Sequence, residues 1–211
     1  MRTLPGETIA PATQALPAHG VLAGEWVLDL RRSSVRLASR VLGFVPVRGE
    51  FREVSGSGSV SAGGEVSGIV TVAAASVDTR NARRDAHLRS ADFFDSDTSP
   101  DITFTVASIR PAGQGVTVTG ALAVRGRSLP LSFDATAAAS DAASDDGGAG
   151  LDGGAGYPAE VRLDATVRIN RADLGLTWNV LGMASMSNSL TIHCVFARPA
   201  LSPRQAGTPG E

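Results

Sequence analysis

The strongest constraint in this chain is a period of two. From Val161 to Asn170 apolar Val161, Leu163, Ala165, Val167 and Ile169 alternate with polar Arg162, Asp164, Thr166, Arg168 and Asn170. Successive side chains of an extended strand point to opposite faces, so this segment must have one dry face and one wet face. The pattern recurs four times. Ile102, Phe104 and Val106 alternate with Thr103 and Thr105, and Val116 and Val118 with Thr117 and Thr119. Leu129, Leu131 and Phe133 alternate with Ser132 and Asp134, and Leu190, Ile192, Cys194 and Phe196 with Thr191 and His193.

The first third of the chain is also strand-like. Trp26 opens the run WVLDL, and Ser34 and Arg36 lie on the opposite face to Val35 and Leu37. Gly43 and Pro46 break the pattern, and Gly49 begins a longer strand. Gly56 and Gly58 predict a strong bend or bulge within it. Residues 62–65, AGGE, form a tight turn, and the strand EVSGIVTVAAAS follows. Gly126, in VRGR, centres a hairpin. The total is about eight or nine strands, mostly at hairpin spacing. Antiparallel strands with one apolar face must close into a barrel or pack as a sandwich. The expected fold is all-β: an antiparallel eight-stranded barrel with one short helical excursion.

Apolar residues make up 43% of the chain but aromatics only 5%, so the core is mainly aliphatic. Ala38, Ala74, Ala123 and Ala165 are candidates for small inward side chains that leave room. An eight-stranded barrel is just wide enough to be filled by side chains or to hold one small ligand. An apolar tube favours an apolar ligand, stabilised by roughly 0.8 kcal/mol per buried CH₂.

Other properties narrow the field. With 19 Lys and Arg against 21 Asp and Glu, the chain has no electrostatic footprint for nucleic acid. Cys194 is the single cysteine, which excludes an intramolecular disulfide and a cysteine metal site. It falls on the apolar face of its strand and reads as a buried, inert thiol. His19, His87 and His193 are too dispersed for a metal motif, and no cofactor is expected. Residues 1–23 read as a disordered lead, 24–198 as the barrel domain and 199–211 as a loose tail. Within the barrel, 138–159 is a low-complexity segment expected to form a flexible loop. The first residues lack the apolar core of a signal peptide, and no stretch approaches the ~18 apolar residues of a membrane helix. The expected location is therefore cytoplasmic, or secreted if the true start differs. A transmembrane barrel would alternate similarly, but the helical excursion and the lack of aromatic girdles argue against it.

One long segment breaks the alternation. Ser76 to Phe104 is dense in charge, with Asp78, Arg80, Arg83, Arg84, Asp85, Arg89, Asp92 and Asp95, and carries Leu88, Phe93 and Phe94 as apolar anchors. The stretch from Arg80 to Arg89 has no Gly or Pro and predicts a short helix. Pro100 keeps that helix from running into the next strand. The elements S-V-D-T, R-D-A-H-L-R-S-A-D-F-F-D and P-D-I-T-F within this segment resemble the signature of the YceI-like family. So do V-R-G-E-F, G-A-L-A-V-R-G-R-S-L-P-L and I-N-R-A-D-L-G-L-T-W-N elsewhere, and the resemblance extends from about Trp26 to Phe196.

That resemblance implies a lipocalin-like barrel that binds lipids or polyisoprenoids, and a homodimer would be in keeping with it. In some family members a histidine follows the second strand; Arg40 stands near that place here. The leading functional expectation is a non-catalytic carrier for a polyisoprenoid, an isoprenoid quinone or a fatty-acyl lipid. Candidate cavity or rim residues are Phe44, Phe51, Phe93, Phe94, Phe104, Trp178, Met183 and Met186. Asp78, Arg84, Asp85 and His87 read as a hydrogen-bonded polar plug that fixes the helix against the barrel wall. The alternatives are an enzyme acting on a lipid through Asp85 and His87, and a ligand-free, stress-related interaction protein with a filled barrel.

Overall fold

Eight long strands close on themselves, three of them broken in the middle. The computed structural model describes residues 22–42, 44–140, 158–177 and 185–199. Its strand segments are β1 (Gly24–Leu28), β2 (Ser34–Val41), β3 (Val45–Phe51), β4 (Val54–Val60), β5 (Val66–Ala73) and β6 (Val77–Asp78). They continue with β7 (Asp101–Ala112), β8 (Gly115–Val124), β9 (Arg127–Ser140), β10 (Glu160–Asn170) and β11 (Ser187–Ala197). One helix, α1 (Ala82–Arg89), lies between β6 and β7.

The ladders show how the segments combine. β2 pairs β3 with Val35 opposite Phe51, and β1 pairs β4 with Val27 opposite Ser57, so β1–β2 runs antiparallel to β3–β4 as one long strand against another. β5–β6 continues the series, with Val72 opposite Val54 and Asp78 opposite Glu50. From β7 to β11 each strand pairs the next. β11 then closes the ring by pairing both halves of the first strand, Ile192 with Val35 and Phe196 with Leu28. The result is the closed, eight-stranded antiparallel barrel with one short helix that the period-two pattern predicts.

The three breaks sit side by side, at residues 29–33, at residues 52–53 and at a 3-10 turn over Ala74–Ser76. Backbone bonds cross them: Asp29 N–H donates to the Val195 carbonyl at 2.8 Å, and Ala74 N–H to Pro100 at 2.7 Å. This corrects the expected bend at Gly56 and Gly58. β4 pairs β5 residue for residue through both glycines. They serve close approach instead: a Cβ on Gly58 would lie 2.9 Å from the Ser67 carbonyl oxygen. A bulge does occur in β7, where the register shifts between Val106 and Ser108. It changes the strand's phase, so Ile109 faces inward after Val106.

Two local expectations meet different outcomes. The β8–β9 turn has Arg125 at φ 50° and Gly126 at φ 70°, the pair of positive values that a tight two-residue hairpin requires. The expected loop over 138–159 begins later, because Ala138 to Ser140 remain in β9, opposite Arg162 to Glu160. A ready ladder partner holds them despite their bland composition. Residues 141–157 of that loop, and all but residues 22, 23 and 199 of the expected lead over 1–23 and tail over 199–211, lie outside the described residues.

Gly120 of β8 is the tightest glycine contact inside the wall. A Cβ there would meet the Thr105 carbonyl oxygen and, at 2.6 Å, the Phe104 ring. Gly120→Val should lower stability by about 1–3 kcal/mol, the usual range for forcing extra groups into a packed site. Urea denaturation should show a lower midpoint with an unchanged slope.

Candidate functional site

The inward faces of the strands enclose a cavity of about 600 Å³. The alternating apolar residues make its wall: Val116, Val118 and Leu122 from β8, Val161 to Ile169 at every second position from β10, and Leu190, Ile192 and Phe196 from β11. Small side chains leave the space open. Of the four candidate alanines only Ala165 lines the cavity; Ala135 and Ala137 of β9 join it. Ala38 and Ala123 stand in the opposite phase to their cavity-lining neighbours Leu37 and Leu122, and Ala74 is buried in the 3-10 turn. The lining runs from Phe93 and Phe94 at the helix end to Gly113 and Gln114 at the β7–β8 turn. Strands of ten to twelve residues, rising about 3.3 Å each and tilted by about 40°, give a wall roughly 25–30 Å long.

The helix end is held mainly by polar ties, since α1 has little apolar surface beyond Leu88. Asn81 caps it by accepting from Arg84 N–H at 3.0 Å. Asp85, only 6% exposed, accepts from the Thr79 N–H at 2.9 Å and the Thr79 hydroxyl at 2.5 Å. Arg84 donates to the same hydroxyl at 2.7 Å and to the Thr79 carbonyl at 2.9 Å. Arg89 donates to the carbonyls of Ala75 and Val77, which ties the end of α1 to the third strand break. Asp78 stands apart, paired with Arg52 and accepting from Arg80 N–H. The Arg80 N–H first, and the Arg52 guanidinium next, hold its carboxyl below the usual aspartate value.

The four members of the expected polar cluster therefore divide. Arg84 and His87 line the cavity, whereas Asp85 and Asp78 do not. Phe51, Phe93, Phe94 and Phe104 all line it. Phe93 and Phe94 meet edge to face at 4.9 Å, and Phe51 lies 5.8 Å from Phe94, so the plug carries its own aromatic floor. Phe44 and Met186 are exposed and away from the lining. Trp178 and Met183 lie outside the described residues.

Among the lining residues that were not anticipated are Trp26, Arg171 and Asn188. A signal existed for the last two. Arg171 continues the inward phase of Val167 and Ile169, and Asn188 shares the phase of Leu190. Arg171 is 3% exposed and lies 5.7 Å from the centre of the Phe93 ring. Its burial pulls its pKa below the ordinary guanidinium value. The Asn188 Oδ1 atom is buried without a hydrogen-bond partner among the described residues. The cavity is thus a mainly apolar tube, with Arg84, His87, Arg171 and Asn188 at its helix end and Ser57, Ser59, Ser67 and Gln114 toward the other.

A closed antiparallel barrel around an apolar, ligand-sized space defines a class of small-molecule-enclosing barrels. Residues 26–197 match the YceI-like domain, and the chain belongs to that family. Protein YceI of Escherichia coli is 31% identical over 130 residues, covering 59% of this chain and 67% of that protein. A UPF0312 protein of Photorhabdus laumondii is 32% identical over 126 residues; the match covers 57% of this chain and 65% of that protein, just under two thirds of its length. Among solved structures, BcnA of Burkholderia cenocepacia shares the fold at a TM-score of 0.65 and 24% identity, covering 80% of this chain and 98% of its own. A polyisoprenoid binding domain from Saccharophagus degradans does so at 0.57 and 17%, covering 82% and 98%.

Two outcomes follow from the site. Asp85→Ala strands the buried Thr79 N–H and should cost about 1–3 kcal/mol in thermal or urea unfolding. Cys194, 4% exposed, has its thiol pKa pushed up from 9.0 to about 12, by burial first and the Asp164 charge second. The native thiol should resist a disulfide reagent at neutral pH and react fully on unfolding. Because its pKa is higher in the folded state, its contribution to stability is complete below pH 9 and is lost as pH rises to about 12.

Proposed function

We propose that this protein is a non-catalytic carrier that encloses one long apolar molecule, such as a polyisoprenoid, an isoprenoid quinone or a fatty-acyl lipid, inside its barrel. The observation that carries this reading is the cavity of about 600 Å³, walled by the apolar face of strand after strand. Its volume falls within the range of roughly 300–1,000 Å³ typical of ligand sites. Chain burial at roughly 0.8 kcal/mol per CH₂ supplies affinity without polar recognition along the tube. The likeness to the Saccharophagus polyisoprenoid binding domain supports the same ligand class.

The basic side chains of the lining lie at one end. Arg84, His87, Arg171 and Asn188 are placed to orient a polar head group there, while the hydrocarbon extends toward Gln114. The acid–base alternative draws less support. It needs Asp85 and His87 to face the ligand together, and Asp85 is turned onto Thr79.

Organic-solvent extraction of the purified protein, with mass spectrometry beside a mock purification, should return a stoichiometric long-chain lipid. Protein that emerges empty and binds neither an isoprenoid nor an acyl probe would sink the carrier reading. Ala165→Phe places a ring in the tube from the middle of β10. It should weaken binding of long chains by about tenfold or more, from lost chain burial, and shift preference toward shorter ones.

A further inference from the structure

We infer that the tip of the β2–β3 hairpin docks this protein on the surface of a lipid bilayer bearing anionic head groups. Three observations meet there. The first is exposed apolar surface at one tip: Phe44 is 74% exposed, Leu42 53% and Val45 40%. Single exposed apolar residues are ordinary, but three around one turn are not. Leu42 also takes φ 54°, a left-handed backbone that an L residue adopts at a cost. The fold tolerates that conformation at a position where the side chain gains little internal packing.

The second observation is continuity with the cavity. Val41 and Val45 form the last pair of the hairpin ladder, and Val41 and Val47 both line the cavity. The exposed tip and the apolar interior are therefore parts of one hairpin. Met186, 38% exposed, precedes β11 on a connection that Ser185 N–H ties to the Arg40 carbonyl at 2.8 Å. A chain leaving a bilayer at this edge would pass from lipid to apolar side chains.

The third is charge. Arg40 and Arg48 are exposed on β2 and β3 beside the tip, and Arg80 and Arg83 are exposed at the same barrel end. Arg36, further from the tip, pairs with Glu50 at 4.0 Å. Asp95 approaches Arg125 of the β8–β9 turn at 3.9 Å, across the ring from this hairpin, with Asp92 and Asp97 in the same segment. An apolar tip beside cations is the chemistry of an interfacial anchor on anionic lipid.

The inference rests on the carrier reading for its purpose but is tested separately. The full chain is floated through a density gradient with vesicles of phosphatidylcholine alone, or with about one quarter phosphatidylglycerol. The wild type should float with the anionic vesicles and lose this as salt screens the charges. Phe44→Asp should reduce partitioning by about tenfold, from the loss of one large apolar anchor. Arg40→Glu with Arg48→Glu should remove the salt-sensitive part, and Leu30→Asp, exposed at the first strand break, should change nothing. A dansyl-labelled fatty acid added from ethanol should bind Phe44→Asp as it binds wild type, while uptake of the probe from vesicles slows with flotation. Failure of the wild type to float, or equal flotation of Phe44→Asp, overturns the inference. So does a wild-type dimer, seen by light scattering, that Phe44→Asp splits without any vesicle binding. Flotation with no binding of the ethanol-delivered probe would uphold docking and sink the carrier reading instead.

Discussion

Everything in this barrel depends on β11 pairing with both halves of the first long strand. Until that seam forms, eight strands make an open sheet with two bare edges and a wide apolar face. Once β1 and β2 lie along β11, the edges vanish and the apolar face becomes an interior. The seam is not a simple ladder. Asp29 N–H reaches the Val195 carbonyl, and the Ser33 hydroxyl sits within reach of the same strand, accepting from Val195 N–H at 3.0 Å. These bonds carry the pairing across the break at 29–33, where the strand would otherwise detach.

Closure of a sheet leaves a barrel with two ends, and the chain covers the helix end with polar material. That is costly unless every buried group finds a partner. Thr79 lies at the centre of the solution: its N–H, hydroxyl and carbonyl are engaged by Asp85 and Arg84. Arg89 and Arg125 add bonds to the carbonyls of Ala75, Val77 and Phe93. The arginines therefore bind backbone acceptors as much as acids. The aromatic floor of Phe93 and Phe94 separates much of this network from the tube, which lets a charged plug and an apolar cavity share one barrel end.

The barrel was largely legible because period-two alternation states both the strand and its inward face. β8, β10 and β11 follow it without a slip. It failed where geometry is set between strands. The bends fall beside each other at residues 29–33, 52–53 and 74–76, and glycine content marked none of them, since their position follows from alignment of neighbours rather than local preference. The Val106/Ser108 bulge likewise reverses a phase that the run of Ile102, Phe104 and Val106 would have continued. Single small residues were poor guides for the same reason: Ala38 and Ala165 look alike in sequence, and only strand phase separates them. Four of the six phenylalanines of the lining, Phe51, Phe93, Phe94 and Phe104, were legible from type and place. Arg171 and Asn188 were harder to read, because a polar residue on an inward phase looks like the end of a strand until the cavity is seen beside it.

The distribution of polarity within the tube bears on how it would select a ligand. A hydrogen bond partway along an apolar wall would reject any chain that left it unpaired. Most of the wall between the plug and the β7–β8 turn is instead carried by Val, Leu, Ile and Phe. Discrimination along that length then rests on width, set by residues such as Ala165 and Phe133, and on reach, set by the distance between the ends. The basic side chains of the lining sit only at the plug, where Arg171 is already desolvated and held beside the Phe93 ring. A guanidinium whose desolvation is borne by the fold asks less of an incoming head group than one that must be stripped of water on binding. The same plug that covers this end of the barrel therefore also pre-organises its basic groups.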